Sequence, residues 1–180
     1  MSTLKVDAAT TVAGTYSYPL MKLETSQGAS GTTIPFTGIP SWAKRITVML
    51  NGVSTDSTSP MQIQLGDTGG YETSGYTGAN HILAGGVAGV NSTSGFLLTV
   101  STSYQVASGL YSGSYIFTLL DSNTNTWTMF GSISREDEAW SFITSGSKSL
   151  TSTLTRIRLT TVGNTNTFDG GSINVLYEGY

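Results

Sequence analysis

The residues of this chain that could do chemistry are few and scattered. His81 is the only histidine among 180 residues, its setting GANHILAGG has no nucleophile elbow, and there is no cysteine. A Ser-His-Asp triad needs a nucleophile and an orienting acid beside the base, and most catalytic zinc sites use several histidines. We therefore predict an interface or structural role for His81, and no catalytic, cofactor-binding or metal-binding residues.

Carboxylates are the other candidates, because a glycoside hydrolase needs only two of them. Asp67 and Glu72 flank a glycine-rich turn, so an apposed pair there stays open. Glu136, Asp137 and Glu138 are adjacent, and neighbours on an extended chain point to opposite sides. We interpret that run as a solvated loop, with a weak calcium site as the minority alternative. A glycan hydrolase is the less favoured hypothesis, and we expect no enzymatic activity.

Several tyrosines lie in or near glycine- and serine-rich stretches, namely Tyr71, Tyr76, Tyr104 and Tyr111. Aromatic rings flanked by amides and acids suit sugar binding, since the rings stack and the polar groups fix orientation. The alternative is that these rings pack under loops or between subunits. The predicted surface contacts are Asp67, Tyr71, Glu72, Tyr76 and His81.

Charge is sparse in this sequence. Eight Lys and Arg stand against eleven Asp and Glu, and charged residues are 11% of the chain, where about 25% is usual. A net charge of -3 argues against nucleic acid as a partner. The start of the chain shows no signal peptide and no apolar run of about 18 residues occurs, so we predict no membrane partner.

The segments that must position these residues have the sequence pattern of β-strands. Apolar residues alternate with polar ones in several short runs, and no long segment has helical periodicity. We predict an all-β fold, an antiparallel β-sandwich that is jelly-roll-like, with a barrel left open. Gln62 and Gln64 are expected to point outward, and one short helical turn is expected within REDEAWSFIT. The predicted strands include 44–50, 61–65, 96–100, a hairpin within 110–134, 154–162 and 172–178.

One main domain preceded by a short arm is predicted. Residues 1–31 form an N-terminal arm and linker, and residues 32–180 form the β-sandwich. Residues 66–95 read as a long glycine-rich loop, which is uncommon unless functional or paired with a partner. Pro35 and Pro40 favour an extended segment at a sheet edge, with Phe36 and Trp42 closing one end of the core.

Two stretches carry a resemblance to a known class of proteins. The start, MSTLKVDAATTVAG, resembles the opening of bacteriophage tail-fibre and related virion proteins. The stretch from Phe36 to Glu178, including FTGIPSWAKRITVMLNGVSTDSTSPMQIQLGD and NTNTFDGGSINVLYE, is similar to a module of phage and prophage tail-fibre-like proteins.

The resemblance implies a virion structural protein that forms a homotrimer and contacts other virion proteins of the tail, baseplate or capsid. A tail-fibre role implies host-surface attachment, to a glycan or a protein, by the β-sandwich. The alternative is a capsid decoration (cement) protein that stabilises the head. Docking on the virion would use the arm, with candidate residues Leu4, Val6, Tyr16, Tyr18 and Leu20.

Overall fold

The chain folds into antiparallel β-sheets. The computed structural model describes residues 8–11, 14–17, 20–84, 87–100 and 103–179, and no helix occurs among them. The all-β antiparallel fold class is therefore confirmed, while the jelly-roll connectivity stays a prediction. The strands are β1 (Ala8–Thr11), β2 (Gly14–Ser17), β3 (Leu20–Leu23), β4 (Gln27–Gly28), β5 (Thr33–Thr37), β6 (Ala43–Thr55), β7 (Met61–Asp67), β8 (Gly70–Tyr71), β9 (Thr77–Leu83), β10 (Val87–Ser92), β11 (Phe96–Leu97), β12 (Tyr111–Asp121), β13 (Thr126–Arg135), β14 (Trp140–Ser149), β15 (Arg156–Thr161) and β16 (Phe168–Gly179).

Two sheets enclose the core. The large sheet has the strand order β10-β9-β14-β13-β12-β6-β16-β3, and β4 also pairs with β16. The small sheet has the order β11-β7-β15-β5, and β8 pairs with β7. Strands β1 and β2 pair only with each other among the described residues.

Alternation along the strands decides which face is buried. In β6, Ile46, Val48 and Leu50 point into the core and are at most 4% exposed. They lie opposite an equally buried set on β16, namely Tyr177, Val175 and Ile173. The small sheet meets this face, and the rings of Phe96 and Phe117 touch edge to face at 5.7 Å between centroids. Each such buried side chain contributes about 1.5–3 kcal/mol.

The predicted hairpin is confirmed as β12 and β13. Phe117 lies opposite Met129, and Leu119 lies opposite Trp127. The turn uses Asp121, whose Oδ1 accepts from the backbone N–H of Asn123 at 2.8 Å. Its side chain thereby replaces a backbone acceptor, which is why Asp favours such turns.

The prediction of a loop over residues 66–95 is wrong for most of its length. Strands β8, β9 and β10 lie there, and β9 pairs with β14 across seven residues. The strand signal is missing because the contacts need small residues. Gly78 lies opposite Gly146, and a Cβ on Gly78 would lie 3.2 Å from the carbonyl oxygen of Ser145. Close approach of this kind selects glycine and erases the apolar alternation.

Three smaller expectations also change. Gln62 and Gln64 point away from the apolar core but are only 3% exposed, because other polar groups cover them. The segment before Trp140 is a turn, and no helix forms in the described residues. The strand expected over residues 96–100 is shortened to β11, although Leu98 and Val100 remain buried.

The proline-rich lead-in is an edge strand, as predicted. Strand β5 closes one side of the small sheet, and Pro35 lies opposite Arg158. Proline is tolerated on an edge, where no further strand needs its missing N–H. Phe36 is 4% exposed and Trp42 packs against the core, so both rings cover apolar residues.

Candidate functional site

Asp67 and Tyr76 are structural residues. Asp67 is 1% exposed. Its oxygens accept from the Thr151 hydroxyl at 2.6 Å, the Gly69 N–H at 2.8 Å and the Ser152 N–H at 3.0 Å. These hydrogen bonds hold the pKa of Asp67 below its usual value, and the bond from Thr151 has the largest effect. Asp67 is therefore not the surface contact that the sequence predicted, because its oxygens are already occupied inside the fold.

Tyr76 lies under the same region at 2% exposure. Its hydroxyl accepts from the Leu65 N–H at 2.8 Å, and its ring touches Phe96 at 5.0 Å between centroids. Burial raises the pKa of Tyr76. The Lys148 Nζ lies 5.4 Å from the ring centroid and 3.3 Å from Glu72 Oε2. Tyr76 is thus a packed ring, and Glu72 reaches the surface only as part of an ion pair.

The acid pair that a hydrolase would need does not form a shared site. Asp67 faces Thr151 and Ser152, whereas Glu72 faces Lys148. A general acid also needs a raised pKa, and the pKa of Asp67 is lowered. Glu136, Asp137 and Glu138 lie in the turn before β14, where Asp137 binds Arg135 through both carboxylate oxygens at 2.6 and 2.7 Å. Among the described residues no group of three or more His, Asp or Glu is placed to hold a metal.

His81 lies in the large sheet, on the outer face of β9. It is exposed and faces Gly89 of β10, where a Cβ would lie 2.7 Å from its Nε2. His81 is therefore separated from the small-sheet residues with which the sequence grouped it. A cavity of about 440 Å³ lies nearby, lined by uncharged residues that include Asn91, Thr93 and Ser145.

Tyr71 takes part in a cluster that sequence reasoning missed. Its ring stacks on Arg158, whose guanidinium carbon is 4.3 Å from the ring centroid, and Arg156 lies 5.8 Å away. We call Tyr71, Arg156 and Arg158 the arginine cluster. It lies on the outer face of the small sheet, where β8 pairs with the end of β7. Burial raises the pKa of Tyr71, and the two arginines oppose that shift.

A cavity of about 300 Å³ adjoins the arginine cluster. Arg158 lines it, and its Nε and Nη2 donate to Gln64 Oε1 at 2.9 and 2.7 Å. Gln64 Nε2 in turn donates to the Ser94 carbonyl at 2.7 Å. The remaining lining residues are Gln62, Thr73, Val162, Gly163 and Asn164. The alternation in RIRLTT was the available signal, since it puts both arginines on one face.

The outer face of the large sheet carries a strip across five strands that is apolar except for Thr47 at its middle. Cross-strand pairing places its members side by side, a row about 19 Å long at the usual strand spacing. Phe130 is 62% exposed and Leu23 is 61% exposed. The next row holds Arg45 and Glu178, which pair with each other at 3.5 Å. The apolar strip consists of Leu23, Leu176, Thr47, Ile116 and Phe130.

The predicted docking arm is only partly covered by the structure. Leu4, Val6 and Tyr18 lie outside the described residues. Tyr16 lies in β2, opposite Ala9 of β1. Leu20 begins β3, the edge strand of the large sheet, and is 43% exposed.

Comparison with known proteins adds nothing to this geometry. No protein-family model matches the chain, and a search of curated proteins finds no match. The described residues contain no helix that is long and apolar enough to span a membrane. The resemblance to tail-fibre modules therefore remains an expectation drawn from the residues quoted above.

Proposed function

We propose that this chain is a trimeric virion structural protein of the bacteriophage tail-fibre type. Its N-terminal arm docks on other virion proteins, and its β-sandwich faces the host surface. The observation that carries the proposal is the apolar strip, because exposed apolar rows on a sheet face are typical of protein–protein contacts. The sequence resemblance gives the biological setting.

The occupant of the apolar strip is a second copy of the same chain. Phe130 and Leu23, each more than 60% exposed, would be covered by such a contact. The charges next to the strip cancel, since Arg45 and Glu178 form an ion pair. A copy approaching this face therefore meets no net like charge, which is a condition for self-association. Closed cyclic assemblies of this kind are common among homo-oligomers.

The assembly is tested with one apolar substitution and a matched control. Phe130→Asp places a charge in the strip, whereas Leu120→Asp places one at an apolar residue that is 68% exposed but lies outside the strip. By light scattering after size exclusion, the unchanged chain and Leu120→Asp are expected at three times the 18.9 kDa of one chain. Phe130→Asp is expected at the monomer mass. A monomeric unchanged chain would refute the trimer.

The virion role is tested by counting copies in particles of the phage that encodes the chain. A tail-fibre protein is expected in a few trimers per particle on a quantitative gel, and the recombinant protein is expected to compete with adsorption to host cells. Hundreds of copies per particle, with no competition, would instead identify the decoration protein. Absence from purified particles would refute both roles.

A further inference from the structure

The arginine cluster holds two positive charges that no described carboxylate pairs with. Of the five other described cations, four lie within 4.0 Å of a carboxylate and Lys44 does not. The four paired cations are Lys22, Arg45, Arg135 and Lys148. Within the described part of the chain, no carboxylate lies that close to Arg156 or Arg158. Arg156 and Arg158 are distinguished from Lys44 because they lie only two residues apart on one strand.

The two guanidinium groups are held close together on one face. Arg156 and Arg158 are two residues apart on β15, so their Cα atoms are roughly 7 Å apart. Like charges at this spacing repel. The stacked Tyr71 ring and the Gln64 oxygen offset part of that repulsion. An anion bound between them would remove the rest.

Polar atoms without partners point to the same place. Arg156 Nε and the Tyr71 hydroxyl are buried without a hydrogen bond to any described residue. Arg158 is fixed by Gln64 through Nε and Nη2, which leaves Nη1 without a partner in the described chain. The guanidinium nitrogens that Gln64 does not occupy can donate to a carboxylate.

The adjoining cavity fits the remainder of a sugar. Its volume of about 300 Å³ is at the lower end of ligand pockets. Amides, two hydroxyls and a short apolar side chain are among the groups that line it, from residues such as Gln64, Ser94, Asn164 and Val162. Such groups would meet the hydroxyls and the ring carbons of a saccharide.

We propose that the arginine cluster and this cavity bind a carboxylate-bearing saccharide, with the carboxylate on Arg156 and Arg158 and the sugar ring over the cavity. The proposal rests on the proposed function only for the source of the ligand, which would be an acidic glycan of the host surface. Tyr71, one of the surface contacts predicted from sequence, is the ring that holds Arg158 in place.

The experiment compares a glucuronate-containing oligosaccharide with its carboxyl-reduced form, by calorimetry on the full chain. The acidic form is expected to bind at least ten-fold more tightly. Arg156→Gln is expected to weaken its binding roughly ten- to hundred-fold, as loss of a charged hydrogen-bonding partner does. The control is Lys44→Gln, which also removes a cation without a described carboxylate partner but lies on β6 of the large sheet, and it is expected to leave affinity unchanged.

A thermal melt checks that each variant is folded. If Arg156→Gln does not fold, Arg158→Lys keeps the charge but loses the planar fork, and a drop in affinity is again expected. Equal binding of both oligosaccharides, unchanged affinity in folded variants, or equal competition by inorganic phosphate would overturn the proposal. These outcomes leave the virion role standing if the chain is found in particles. Binding as described by a chain absent from particles would refute the virion role alone.

Discussion

Replacing Asp67 by Asn tests whether the carboxylate of this residue stabilises the fold or takes part in binding. The Asp67 carboxylate joins the turn between β7 and β8 to the segment after β14, through Gly69, Thr151 and Ser152. Asn keeps the shape of the side chain but loses the charge, and the amide nitrogen that replaces one carboxylate oxygen cannot accept a hydrogen bond. At least one of three donors is then left without an acceptor in a site that is 1% exposed.

The size of the effect follows from these contacts. A hydrogen bond to a charged group contributes about 1.5–3 kcal/mol, and leaving a buried donor unpaired costs a similar amount. Because the three bonds share one carboxylate, they are not additive, and we expect a loss of about 3 kcal/mol in the free energy of unfolding. For a chain of this length that lowers Tm by roughly 6–12 °C.

The loss is expected to depend on pH. The folded pKa of Asp67 is lowered from a usual value of 3.8. Its contribution is therefore present above about pH 4 and disappears as pH falls through the folded pKa. In urea titrations, the free energy of unfolding of the unchanged chain should exceed that of Asp67→Asn by the full amount at pH 7. This difference should become smaller below pH 4.

Asp121→Asn is the matched control for this substitution. Asp121 also accepts from a backbone N–H and a hydroxyl, but in a turn open to solvent, so a much smaller effect is expected. Equal stability of Asp67→Asn and the unchanged chain at pH 7 would refute the structural role. So would a loss of saccharide binding by folded Asp67→Asn protein, since that would return the residue to the functional site.

Three further substitutions test the packing of the sheets. Gly131→Ala is expected to cost at least about 2 kcal/mol in urea titrations, because a Cβ there would lie 2.6 Å from the Cα of Tyr115; near-unchanged stability would contradict that close approach. Tyr76→Phe leaves the buried Leu65 N–H without its partner and is expected to cost about 1–3 kcal/mol. Tyr177→Phe removes a buried hydroxyl that has no partner among the described residues, so little loss in the free energy of unfolding is expected. A loss above about 1 kcal/mol would show that the hydroxyl has a partner.

Much of the fold could be predicted from the sequence because its signal is local. Alternation in β6, β12 and β15 gives the strand, its buried face and its exposed face at once. Pro35 likewise indicates an edge strand, since a missing N–H is tolerated only where no neighbour needs it. Composition alone indicates a surface with few charges.

Strand β9 was not predictable in this way. Its residues TGANHIL look like loop residues until β14 is placed beside them, and the close contact of Gly78 with Gly146 then explains the glycines. The burial of Gln62 and Gln64 depends on Arg158 and Ser94, which are distant in sequence.

The candidate site likewise depends partly on local sequence and partly on tertiary structure. The sequence by itself determined that Arg156 and Arg158 share one face, because a strand repeats every two residues. It grouped Asp67, Tyr71, Glu72, Tyr76 and His81 by nearness along the chain. Only the tertiary structure decided that two of these are buried, that His81 lies on the other sheet, and that Tyr71 meets the arginines. The physical reason is that burial and charge pairing depend on which strands become neighbours. Which strands pair depends in turn on packing throughout the core.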